Sequence, residues 1–240
     1  RTHKKEKIKD YQQSIDFTQK HNPNFKQVIY DNEMCDEFIK DKFSDRIYQA
    51  YQSINPSYGP AKSDFFRTLI IYYYGGIYLD IKSVGTSLEE LSKNDKLVAC
   101  LGRGKPYINT FHFNPYSLFS DNYNWYYFSD IEEGEINNWC ISAPPGNYIL
   151  GKMIQQMVSN IEYGKKHMNE YNNGQYSVLA MTGPICYSKI ISKYKTDSNV
   201  KILSKYEKQK YFKYELFDHK ALEGNKHYSK NKDKNILIKT

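Results

Sequence analysis

Polar and apolar positions alternate in blocks that change period along the chain. Over 8–20, Ile8, Tyr11 and Ile15 recur at helical spacing. Asn22-Pro23-Asn24 forms a turn, and 25–30 (FKQVIY) has the β-branched and aromatic content of a short strand. Short helices are predicted over 34–40 and 43–53, then a loop through Asn55-Pro56 and Gly59-Pro60. The stretch AKSDFFRTLIIYYYGGIYLDIKSVG, 61–85, organises the rest. Ser63 is placed to cap a helix, with Asp64 in its first turn. Phe66, Leu69, Ile70 and Tyr73 line its buried face, and Gly75-Gly76 stops it. Ile77-Tyr78-Leu79 then forms a core strand that delivers Asp80 at its carboxyl end, where α/β sheets bind ligands.

Downstream, 97–101 (LVACL) and 138–143 (NWCISA) are apolar strands, and a long helix is predicted over 148–163. Residues 164–175 form a polar loop, Thr182-Gly183-Pro184 opens a helix to about 193, and late strands fall at 200–203 and 211–217. Alternating helices and strands without internal repeats predict one α/β domain over 1–240. A first part covers about 1–105, and an aromatic loop with a C-terminal part covers about 106–240.

The 240 residues suffice for a sizeable core. The net charge of +7 suits an anionic ligand, but much of the excess lies in lysines near the termini, and no nucleic-acid recognition motif accompanies it. Cys35, Cys100, Cys140 and Cys186 are far apart and form no C-x-x-C pair. This argues against zinc and fits a soluble domain of a reducing, cytoplasmic compartment better than a disulfide framework. No apolar run approaches the ~18 residues of a membrane span, and no stretch reads as a signal peptide. Between 106 and 130, aromatics including Trp125 are interspersed with Asn, Ser and Asp without a clean period. They form either a wall for sugar rings on the acceptor side or a loop packed on the core.

The 61–85 stretch resembles the sugar-nucleotide region of glycosyltransferase family 32, of GT-A fold, whose pattern is (A/K)SD-x-x-R followed by Y-GG-(V/I)-Y-x-D-x-D. The matching residues are Ser63-Asp64, Arg67, Tyr74, Gly75-Gly76, Ile77-Tyr78 and Leu79-Asp80; Lys82 stands where the family has its second aspartate. The resemblance implies a GT-A-like, Rossmann-type mixed sheet flanked by helices. It also implies a retaining transfer of sugar from a UDP- or GDP-sugar to a glycan or protein acceptor. Relatives begin with a strand of the type I-P-K-x-I-x-Q-x-W, a place that precedes Arg1-Thr2-His3. The expectation is therefore a sheet with an exposed edge or an incomplete donor pocket.

By the same resemblance, Asp80 and Asp64 are the catalytic candidates, with Asp64 taking sugar hydroxyls. Arg67, Ser63, Tyr78, Lys82, Asn138 and His227 are the donor-binding candidates. Asn138 also has a plain reading as a backbone-capping amide, and His227 as a surface histidine. In the family motif the second aspartate binds Mn²⁺ or Mg²⁺; a protonated lysine cannot. Three alternatives follow. Lys82 neutralises the β-phosphate and metal dependence is weak; Lys82 pairs with Asp80 in an inactive sugar-nucleotide- or glycan-binding relative; or Asp80, His227 and another carboxylate still hold a metal.

Overall fold

The computed structural model describes residues 5–102, 135–167, 175–217 and 235–238. Trp125, His227 and the aromatic stretch 106–130 lie outside the described residues. A short 3-10 helix, Lys5–Tyr11, leads into α1 (Gln12–His21), followed by α2 (Asn32–Lys42) and α3 (Asp45–Ser53). Next come α4 (Gly59–Tyr74), β1 (Gly76–Leu79), β2 (Ser83–Gly85), α5 (Leu88–Ser92) and β3 (Leu97–Leu101). The second half supplies β4 (Ile136–Ala143), α6 (Tyr148–Lys166), α7 (Gln175–Met181) and α8 (Pro184–Lys193). It ends in β5 (Val200–Leu203), α9 (Lys205–Tyr211) and β6 (Phe212–Tyr214).

Four strands form a mixed sheet in the order β1-β4-β3-β5, with β3 and β5 parallel and the other pairs antiparallel. This is the helix-flanked mixed α/β sheet that the sequence predicts. On β3, Leu97, Ala99 and Leu101 face the main core, while Val98 and Cys100 enter a smaller cluster behind. Helices α4, α6 and α8 build the main core, and α5 and α9 cover the other face. Each fully buried aromatic, such as Phe65 or Phe66 on α4, contributes roughly 1.5–3 kcal/mol by leaving water.

Three local sequence readings change. Tyr73, expected on the buried face of the helix, is exposed. α4 starts at Gly59, a turn earlier than Ser63, because Pro60 in the first turn needs no N–H partner and has a helical φ already. Ser63 is therefore not the cap, and Asp64 is not in the first turn. Segment 25–30 forms no strand and has no ladder partner among the described residues. A strand needs a neighbour about 4.8 Å away, whereas a cleft of about 600 Å³ separates this segment from β1.

β1 is thus an end strand whose outer edge borders that cleft. The Asp80 N–H donates to the Trp139 carbonyl at 2.9 Å, which fixes the phase of the β1–β4 ladder. Hydrogen-bonded positions alternate, so Tyr78 faces β4 while the backbone groups of Ile77 and Leu79 point to the cleft. Two buried polar atoms of the cleft lining, Gln27 Oε1 and Ser83 Oγ, find no hydrogen-bond partner among the described residues.

Candidate active site

The hinge between α4 and β1 dictates where the polar residues meet. Gly75 has φ of 68° and Gly76 of 90°, left-handed geometry that glycine adopts without strain. A Cβ on Gly75 would stand 2.6 Å from Pro145 Cδ, so the chain can turn this tightly only there. The turn folds β1 back beside α4 and brings Asp80 to Arg67.

Arg67 is the pivot. Its Nη2 lies 2.9 Å from Asp80 Oδ1 and 3.2 Å from Asp64 Oδ1. Its Nη1 donates to the Asn138 carbonyl, and its Nε to the Ser63 carbonyl at 3.3 Å. The guanidinium stacks over the Tyr78 ring with 4.9 Å to the centroid. Only 4% of Arg67 and 5% of Asp64 are exposed. Burial alone would lower the Arg67 pKa, but Asp80, Tyr78 and Asp64 more than offset it and hold the guanidinium above its ordinary value. This cation stays charged at any working pH.

Asp80 is held at one oxygen. Oδ1 accepts from Arg67 and from the Tyr78 hydroxyl at 3.0 Å. Oδ2 meets no hydrogen-bond partner among the described residues, and the side chain is 25% exposed. One carboxylate oxygen is therefore fixed while the other is open to a hydroxyl or a cation. Asn138 Nδ2 donates to Asp64 Oδ1 at 3.0 Å, so this amide ties β4 to α4. A break in the β3–β4 register sits here: with Val98 opposite Ser142, an unbroken ladder would set Cys100 against Cys140, but it pairs with Asn137. The extra residues on β4 include Asn138 and Trp139, and such irregularities re-aim side chains next to sites.

Lys82 does not lie along the strand from Asp80. Strand β1 ends at Leu79, and the Ser83 N–H donates to the Asp80 carbonyl at 2.8 Å, closing a tight turn over 80–83. The alternation of side chains along a strand therefore does not carry from Asp80 to Lys82. Lys82 Nζ pairs with Glu215 Oε1 at 2.8 Å and stands 4.9 Å from the centre of the Tyr214 ring. Tyr214 also packs on Trp139, with 5.0 Å between centroids. Burial raises the Tyr214 pKa, although Lys82 opposes the shift.

Residues 9–95 match the family model described as "Glycosyltransferase sugar-binding region containing DXD motif". The family likeness carried by Ser63-Asp64, Arg67 and Asp80 stands. Over 80 residues the chain is 32% identical to the initiation-specific alpha-1,6-mannosyltransferase of Candida albicans (strain SC5314 / ATCC MYA-2876), covering 32% of this chain. The match spans a fifth of that relative's length, 20%. Among solved structures, PaToxG glycosyltransferase aligns over 79% of this chain and 63% of its own, at 20% identity and a TM-score of 0.45. The UDP-bound glycosyltransferase domain from the YGT toxin aligns over 83% and 57%, at 14% identity and 0.39.

The matched sugar-binding region contains Ser63, Asp64, Arg67, Tyr78, Asp80 and Lys82, and the fold gathers Asp64, Arg67, Tyr78 and Asp80 with Asn138 around one guanidinium. Ser63 contributes its carbonyl to Arg67. Sequence reasoning missed Trp139, Tyr214 and Glu215. The tryptophan was visible within a predicted strand, but nothing local in the sequence points to Glu215, which reaches Lys82 through the β2–β6 ladder. For a divalent cation, the described residues offer no group of three or more His, Cys, Asp or Glu side chains that could hold one. They do not by themselves fit the family's metal. No described helix is long and apolar enough to cross a membrane.

Proposed function

We propose that this chain is the catalytic domain of a retaining glycosyltransferase that moves a sugar from a UDP- or GDP-sugar to a glycan or protein acceptor. The observation that carries the reading is Asp80 at the end of β1, with Oδ1 locked by Arg67 and Tyr78 and Oδ2 open. It lies within the stretch that matches a sugar-binding region.

In this reading Asp80 Oδ2 accepts a hydrogen bond from a sugar or ribose hydroxyl. Asp64, Asn138 and Arg67, being buried, keep that carboxylate in place, and Asp64 and Arg67 border the sugar. Ser63 and Tyr78 lie on the same donor side. Lys82 supplies positive charge to the β-phosphate as the bond from the anomeric carbon to the phosphate oxygen breaks. The acceptor oxygen bonds to the same face of that carbon, and its proton passes to the departing phosphate. This route needs no separate protein base. His227 over the diphosphate and Trp125 beside the acceptor complete the proposal, from outside the described residues.

A binding-only relative is the second reading, favoured by Lys82 in place of the second aspartate and by its engagement with Glu215. Incubation with UDP- and GDP-sugars, scored for free nucleoside diphosphate, separates the two. Turnover that survives EDTA supports Lys82 as the counter-charge, whereas strict Mn²⁺ dependence contradicts it.

A further inference from the structure

The two cationic candidates of the site, Arg67 and Lys82, are both already engaged. Arg67 is buried between Asp64 and Asp80, and its charge is committed to them. Lys82 is more accessible, with a side chain 19% exposed, yet its partner Glu215 is 33% exposed and lies at 2.8 Å.

This pair is built into the fold rather than left to two wandering side chains. In the β2–β6 ladder Ser83 is opposite Tyr214, and Gly85 is opposite Phe212. Lys82 and Glu215 are the residues immediately beyond the ladder's last pair, Ser83 and Tyr214, which brings their side chains together. Glu215 takes φ of 50°, a left-handed value that residues with a side chain adopt only at a cost. Beside it the Tyr214 ring faces the Lys82 ammonium.

We infer that Glu215 is an internal competitor for Lys82, which a nucleotide's β-phosphate must displace, so that this carboxylate sets the affinity of the donor site. The inference rests on the donor-site reading above. An incoming diphosphate takes over the ammonium, and Glu215 turns to solvent, to which it is already partly open. Nucleotides that carry a β-phosphate compete with Glu215 for this ammonium, whereas monophosphates, which lack one, gain nothing when the pair is removed.

Calorimetric titration of UDP and GDP, and of UMP and GMP, into the 240-residue chain tests this, with EDTA present. The proteins are the wild type, Glu215→Gln, Lys82→Gln and the double variant. Glu215→Gln keeps the side chain's shape and the backbone, and removes only the charge. The expected result is diphosphate binding about three- to fivefold tighter in Glu215→Gln, as loss of a partly exposed ion pair allows. The gain should vanish in the Lys82→Gln background, because the coupling runs through that ammonium. Equal or weaker binding by Glu215→Gln, or a gain that persists without Lys82, overturns the inference. So does weakening that appears only when Mn²⁺ replaces EDTA, which makes Glu215 a cation ligand. Wild type that binds none of the four nucleotides fails the donor-site reading itself, and this inference with it.

Discussion

Arg67 and Asp80 meet at 2.9 Å because the Gly75–Gly76 turn folds β1 back onto the helix that carries the arginine. The same guanidinium holds Asp64, the Asn138 carbonyl and the Tyr78 ring. Four elements of the candidate site are thus registered to one buried cation.

Removing that cation leaves two carboxylates facing each other, one of them buried. Arg67→Met is expected to destabilise the chain by about 3–5 kcal/mol, the usual cost of leaving half of a buried pair. Arg67→Lys falls short of full rescue, since one ammonium cannot bond both carboxylates and the carbonyl at once. Denaturant unfolding measures both. A loss under about 1 kcal/mol in Arg67→Met contradicts the pivot role, because it is what a surface substitution costs.

The exposed edge of β1 gives a second expectation. Amides of Tyr78 and Asp80 face β4, whereas those of Ile77 and Leu79 face the cleft. Residue-resolved hydrogen exchange should therefore alternate along the strand, slow at Tyr78 and Asp80, fast at Ile77 and Leu79. Uniform protection would mean that something covers the edge.

Stability should fall on the alkaline side. All four cysteines are buried thiols outside any disulfide. Burial pushes the Cys186 thiol up to about 12 and the Cys140 thiol well above its ordinary value, the latter helped by Cys100. Burial also raises the Tyr187 phenol. These groups keep protons in the native state that the unfolded chain releases from about pH 8 upward. The native state then binds more protons, so its advantage is intact below about pH 8 and is lost as pH rises toward 12. Urea midpoints at pH 7.5, 9 and 10.5 check this: they should fall in that order, with the lowest at pH 10.5. A flat profile, or native thiols that react rapidly with a disulfide reagent at pH 7.5, contradicts the burial.

Much of this was legible locally. Gly75-Gly76 and the apolar run after it announced the turn and β1, and the spacing of Asp64 and Arg67 announced their shared face. Pro60 hid the true start of α4 behind the better capping residue Ser63. Segment 25–30 has strand composition, but ladder pairing depends on a neighbour that local composition does not report. The Lys82 pairing was beyond local reading altogether. It depends on a tight turn at 80–83 and on the register of β2 with β6, which lie far apart in the sequence. Asn138 was visible as a candidate, but its contact with Asp64 depends on the slipped β3–β4 register.

The account turns on Asp80 as the group that meets the donor sugar. The most direct test is the release of UDP or GDP from a panel of sugar nucleotides by the wild type and by Asp80→Asn, with folding of both followed by circular dichroism. The prediction is release by the wild type from at least one donor, and a loss of roughly a hundredfold or more in Asp80→Asn with the fold retained. A folded Asp80→Asn protein that turns the donor over at the wild-type rate would contradict it.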